Sequence, residues 1–150
     1  MLSKLYFTVS VLFTSLSFSS PQSLITVESH YSVKETADRF ESILVNKGLT
    51  LFARIDHQKN AAGVNLTLRA TEVFIFGNPK VGTPLMQCAQ NAAIDLPQKI
   101  LISEDADKKV WFSYNNPEYI KIRHNIQGCD KVISKITKVL NTLSLAATDK

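Results

Sequence analysis

The side chains able to do chemistry are few: three histidines, two cysteines, two methionines and scattered carboxylates. His57 directly follows Asp56, and a histidine oriented by a carboxylate works as a general acid or base near neutral pH. Alternation along a strand sends Asp56 and His57 to opposite faces, so the orienting group must come from elsewhere. Glu72 is the candidate, because it sits early on the strand that can pair with this one. The competing structural role has His57 hydrogen-bonded to the following loop, pinning the strand's end. His124 lies in Lys121-Ile122-Arg123-His124-Asn125 and His30 lies far upstream. This scatter has no helical-turn spacing and no cysteine pair, so it is not a zinc motif. If a metal is bound, His57, His124 and Met86 form a soft set of the kind that suits copper in an exported protein, against the simpler role of Met86 as core filler.

Between Phe76 and Met86, Gly77, Asn78, Gly82 and Thr83 precede an expected helix start. Exposed amides there can hold an anion. The simpler account needs no ligand: Asn78 and Pro79 turn the chain, Gly82 lets it bend and Thr83 caps the helix. No serine sits in a nucleophile elbow, and no strand is followed by a glycine-rich phosphate loop, which argues against a nucleotide enzyme. Cys88 and Cys129 either pair in an oxidising compartment or serve as a buried small hydrophobe and a free thiol; the sequence leaves both open. Glu104 and Asp105 read as a solvated turn, and Lys131, Lys135 and Lys138 as the polar face of the last helix. Asn65-Leu66-Thr67 is a glycosylation sequon, meaningful only where exported proteins are glycosylated.

Those residues need a frame, and the chain is long enough for one domain with its own core: 150 residues, 45% hydrophobic and 20% charged, with only five glycines and five prolines. Lys4 followed by the uncharged run Leu5 to Phe18 and then small residues reads as a secretory leader covering 1–19, with a mature domain over 20–150. The run is too short and too rich in Ser and Thr for a spanning helix, so no stable membrane span is expected. Loss of Lys4 lowers the formal charge from +4 to +3. That is not the footprint of a nucleic-acid binder. The expected location is periplasmic or secreted.

Leu24 to Ser29 reads as a strand, and Ser32 with Glu35 forms a capping box that opens a helix closed by Gly48. Leu49 to His57 alternates as a second strand, with Leu51, Ala53, Ile55 and His57 on one face. Gln58 to Leu68 has no clear period. Arg69 to Phe76 is a strand ended by Gly77-Asn78-Pro79, and Thr83-Pro84 looks like the start of a short helix. Lys99 to Ser103 and Val110 to Tyr114 read as a hairpin, and Asp130 to Leu145 as the clearest helix, with one apolar stripe. The order β-α-β-β-α-β-β-α favours antiparallel pairing, hence an α+β domain with helices packed on one face of the sheet.

The runs Ile55-Asp56-His57, Thr71-Glu72-Val73, Phe76-Gly77-Asn78-Pro79, Gly82-Thr83-Pro84-Leu85-Met86, Asp95-Leu96-Pro97 and Trp111 with Ser113-Tyr114-Asn115 resemble the domain-of-unknown-function 302 family. The resemblance covers about residues 24–146. It implies a TATA-binding-protein-like α+β fold, a curved antiparallel sheet gripped by helices and commonly dimeric, and no established reaction. Asp107, Lys108 and Lys109 stand where that family often has Asp-Gly-Lys, which puts a tight glycine turn in question.

The motifs gather at strand ends and loops, which favour recognition over packing. The leading expectation is an exported, non-enzymatic binding or sensing domain that needs no cofactor, with a small ligand near His57, Glu72, Asn78, Tyr114 and His124. The alternatives are an enzyme using His57 with Glu72, and a homodimer or interaction domain without a ligand.

Overall fold

The computed structural model describes residues 22–149, and the leader expected at 1–19 lies outside them. Five strands and five helices follow in the order β1 (Leu24–Ser29), α1 (Val33–Asn46), β2 (Thr50–Asp56), α2 (His57–Ala62), β3 (Thr71–Gly77), α3 (Pro79–Cys88), a 3-10 turn (Gln90–Asp95), β4 (Gln98–Glu104), β5 (Val110–Asn115), α4 (Pro117–Arg123) and α5 (Asp130–Thr148). These are the eight expected elements plus three short helical pieces. The strands form one antiparallel sheet ordered β1-β5-β4-β3-β2. The fold is α+β.

The register sorts the sheet into two faces. Phe74, Phe76, Ile100, Ile102, Phe112 and Tyr114 are buried on one side, where Phe40 and Leu44 of α1 and Ile133, Leu140 and Leu143 of α5 complete the core. Phe40 is the hub, with its ring edge-on to Phe74, Phe76 and Phe112 at centroid distances of 5.1, 5.3 and 5.2 Å. The opposite face carries Ile55, Val73, Ile75, Leu101 and Trp111, each half-buried.

Local signals explain why the helices begin and end where they do. Ser32 accepts from the Glu35 amide while the Glu35 carboxylate accepts from the Ser32 amide, closing the expected capping box. Gly48 ends α1 at φ +62°; its own amide reaches Val45 O and that of Leu49 reaches Leu44 O, which satisfies two carbonyls of the last turn. In the β4–β5 turn Lys108 adopts φ +66°, the conformation a glycine would take. The Asp105 carboxylate braces that turn by accepting from the amides of Asp107 and Lys109 and from Trp111 Nε1.

Two expectations change. The third helix starts at Pro79 with Asn78 as its cap, not at Thr83-Pro84, which lie inside it. Both pairs have the cap-then-proline form, and the one next to the strand exit takes the role. The result is a ten-residue helix with Gly82 and Pro84 in its interior, which cost about 1 and 3 kcal/mol of intrinsic helix stability. Leu85 is its one buried residue. In β2 the register slips between Leu51 and Ala53, so Phe52 is an extra residue. Leu51 therefore shares the helix-covered face with Arg54 and Asp56, while Ala53 and Ile55 turn to the open face.

Candidate functional site

A cleft of about 240 Å³ opens at the end of the sheet where β3 stops and β4 begins. Three walls define it. The strand-end wall is Gly77, Asn78 and Gln98 with the bulged Phe52; the helical wall is Val81, Gly82, Thr83 and Met86 of α3; Leu96 and Pro97, joined by a cis peptide, close the third side, with Ile136 of α5 behind. A β-carbon on Gly77 would sit 3.6 Å from both Phe52 Cε2 and Pro97 Cβ, so ring and proline meet over that glycine. Phe52 is 54% exposed, and with Pro79, Val81, Met86 and Leu96 beside it the cleft is predominantly apolar.

No ionisable side chain lines the cleft among the described residues. The α3 start offers no anion site either. Asn78 Oδ1 accepts from the Lys80 amide at 2.9 Å, and the amides of Val81 and Gly82 donate to Asn78 O at 2.9 and 3.0 Å. The amides expected to be open are already used, so a charged ligand group buried here would lose its hydration without a partner. The arrangement suits an uncharged, largely apolar group, with the Gln98 amide and the Nδ2 amino group of Asn78 left to orient it. Its volume lies just below the usual range of small-molecule sites, roughly 300–1,000 Å³.

The structure does not bring the expected site residues together. Asn78 and Met86 line the cleft. His57 is not a strand residue; it opens α2 and is exposed. Asp56 pairs with Glu72 and Thr50 with Gly77, so His57 lies at the far end of β2 from the cleft, about 20 Å away along the strand. Glu72 does stand near His57's end of the sheet, but its carboxylate accepts from Arg54 Nε at 2.6 Å. Tyr114 is 3% exposed in the core, where burial pushes its hydroxyl above its ordinary value against the opposing hydrogen bond to Ser144. It packs in the core because it lies on the helix-covered face of β5, beside Phe112 and Ile100.

His124 caps α4 and is nearly buried, with Nε2 2.5 Å from Asp95 Oδ2. Arg123 reaches the other Asp95 oxygen at 3.3 Å. This triad fastens the end of α4 to the turn that leads into Leu96 and Pro97, so His124 supports the cleft wall without lining it. The soft set of His57, His124 and Met86 is not assembled, since His57 lies at the other end of β2, and no cluster of three His, Cys, Asp or Glu side chains fit for a metal occurs among the described residues. Cys88 and Cys129 are joined in a disulfide that ties the end of α3 to the start of α5.

A second charged feature lies at the far end of β2. Arg54 stacks over the Phe74 ring at 5.1 Å and binds three carboxylates: Glu72 at 2.6 Å, Glu41 at 2.7 Å and Asp38 at 2.9 Å. The Glu72 hydrogen bond first, then those to Glu41 and Asp38, hold the guanidinium above its ordinary value despite partial burial. Hydrogen bonds from Lys34 and then Arg54 hold Asp38 below the usual carboxylate range. Sequence reading missed this network and the roles of Phe52, Leu96 and Ile136.

An open five-stranded antiparallel sheet, helices on one face and a cleft at the β3–β4 end define an α+β domain of recognisable type. The chain belongs to the family described as Domain of unknown function DUF302, whose model matches residues 25–143. A crystal structure of an uncharacterized conserved protein of that family from Bacillus stearothermophilus superposes with a TM-score of 0.74 at 15% identity, covering 83% of this chain and 97% of that one. Among curated proteins, Fluoride-specific ion channel FluC 1 of Brucella suis biovar 1 (strain 1330) is 42% identical over 103 residues, 69% of this chain and 41% of that protein. The FluC 1 protein of Brucella abortus biovar 1 (strain 9-941) is equally similar, with 38% of its length covered. The chain thus spans about two fifths of the curated relatives it matches. No described helix is long and apolar enough to cross a membrane.

Proposed function

We propose that this domain is an exported, non-enzymatic module that binds or senses a small, uncharged, largely apolar ligand in the cleft between α3 and the β3–β4 end of the sheet. The observation that carries the reading is the cleft itself: preformed, apolar-mouthed, without an ionisable lining side chain among the described residues, and offering the Gln98 amide and the Asn78 Nδ2 group. The leader-like start and the Cys88–Cys129 disulfide support export. The acid/base alternative loses support because Arg54 occupies Glu72 and His57 lies at the opposite end of β2 from the cleft. The channel name of the Brucella relatives belongs to longer proteins. From it we take only that such a domain can be joined to further sequence.

Native mass spectrometry of the protein isolated from its own compartment tests the reading. A copurified small neutral molecule, with no metal by elemental analysis, is the expected result; a stoichiometric metal and no organic ligand contradicts it.

The open sheet face supports a second reading, in which a second copy is the partner. Ile55, Val73, Ile75, Leu101 and Trp111 form an apolar surface that no described element covers fully. Sedimentation equilibrium decides: a dimer weakened by Ile75→Lys favours this reading, and a monomer at all concentrations removes it.

A further inference from the structure

We propose that the Cys88–Cys129 disulfide is a thiol-exchange site whose reduction releases α3, the wall of the cleft. The consequence for a ligand rests on the cleft being the binding site; the exchange itself does not.

The two sulfurs are placed unequally. Cys88 is exposed at the end of α3, whereas Cys129 is 7% exposed, with its Sγ 3.6 Å from the carbonyl oxygen of Pro84 beneath the helix. An external thiolate therefore meets Cys88 first. Cys129 departs from its position as the N-cap of the 19-residue α5, where no side chain caps the helix and the amide ends favour a departing thiolate. The neighbouring Asp130 carboxylate is engaged by Lys121.

The reaction balances with a dithiol as reductant. Its first thiolate attacks Cys88 Sγ, the S–S bond breaks, and Cys129 leaves with the bonding pair and takes up a proton. The second thiol then attacks the reagent sulfur of the mixed disulfide, releasing Cys88. The protein gains two electrons and two protons, and the dithiol is oxidised to its own disulfide.

Release of α3 follows from how little else holds it. Gly82 and Pro84 weaken its interior, Leu85 is its one buried side chain, and its capping by Asn78 secures only the start. The disulfide secures the end. Most of the core comes from the sheet, α1 and α5, and α3 adds only Leu85, with Val81 packed at its edge, so α3 is the element that opens first. Val81, Gly82, Thr83 and Met86 leave the cleft with it.

The test treats the full oxidised chain in native buffer with excess dithiothreitol, traps thiols with iodoacetamide, and follows hydrogen exchange by mass spectrometry. A parallel sample in glutathione is mapped for the mixed disulfide. The expected result is alkylation of both cysteines while β3–β5 stay protected, glutathione on Cys88, and exchange over Pro79–Cys88 at least tenfold faster. Reduction only at the rate at which β4 itself exchanges, glutathione on Cys129, or unchanged α3 exchange overturns the proposal. The double variant Cys88→Ser, Cys129→Ser should reproduce the reduced pattern; if it does not fold, the reagent experiment still decides. With the neutral fluorophore N-phenyl-1-naphthylamine, tenfold weaker binding after reduction places the gate at the ligand site, and equal binding overturns the gate. No binding to either form refutes the cleft reading alone, and the exchange data then stand by themselves.

Discussion

Replacing Phe40 by alanine lowers the unfolding free energy by about 3–5 kcal/mol, the range for removing a fully buried aromatic side chain. Phe40 is 0% exposed and meets three aromatic rings edge-on, two from β3 and one from β5. Its removal leaves a void where α1 joins the sheet and forfeits three ring contacts at once. Whole-domain stabilities lie at about 5–15 kcal/mol, so the variant stands near the folding limit. Phe40→Leu, which refills much of the space, keeps the comparison measurable. Urea unfolding followed by circular dichroism checks both; a loss below about 1 kcal/mol for the alanine variant would show that α1 does not anchor the core through this ring.

Replacing Arg54 by methionine removes the cation but keeps much of the stem that covers Phe74. The expected loss is about 2 kcal/mol, below the 3–5 kcal/mol of a fully buried pair because 27% of the Arg54 side chain is exposed and solvent screens it. Glu72, at 12% exposure, is left without its partner. The pH dependence carries the signature. Asp38 is depressed in the folded state, so its contribution is present above its ordinary value of 3.8 and is lost as pH falls through the lower folded value. The wild-type protein therefore loses stability on acidification below about pH 4, and the variant loses less over the same window. Parallel acid limbs would contradict the network.

Much of the frame was legible because local and long-range signals agreed. The Ser32–Glu35 box, Gly48, the hairpin around Asp105 and the stripe of α5 each have one physical solution, and the structure adopts it. The failures came where two solutions compete. Asn78-Pro79 and Thr83-Pro84 obey the same capping grammar, and only the end of β3 at Gly77 selects the first. The extra residue at Phe52 leaves no mark in an alternating pattern, because a bulge is defined by the partner strand. Tyr114 looked like a recognition residue at a strand end, and its place on the helix-covered face of β5 made it core.

The site was legible in pieces. Glu72 was correctly brought to His57's end of the sheet, but sequence spacing did not reveal that Arg54, two residues before Asp56, would take the carboxylate. The runs Phe76-Gly77-Asn78-Pro79 and Asp95-Leu96-Pro97 stood out singly, and it takes the β3–β4 pairing, Phe76 opposite Gln98, to bring them to opposite sides of one cleft.

Gly82→Leu offers the most direct measurement. A β-carbon there meets nothing within 4 Å, its φ is not in the left-handed region, and the position lines the cleft. Leucine raises helix propensity by about 0.8 kcal/mol while placing an isobutyl group where the ligand is proposed to sit. Fluorescence titration of the oxidised protein with N-phenyl-1-naphthylamine, beside thermal unfolding of the same samples, reads both effects. The account predicts saturable binding to the wild-type chain and at least tenfold weaker binding to a variant that melts no lower. Undiminished binding to a folded Gly82→Leu variant would place the ligand site elsewhere.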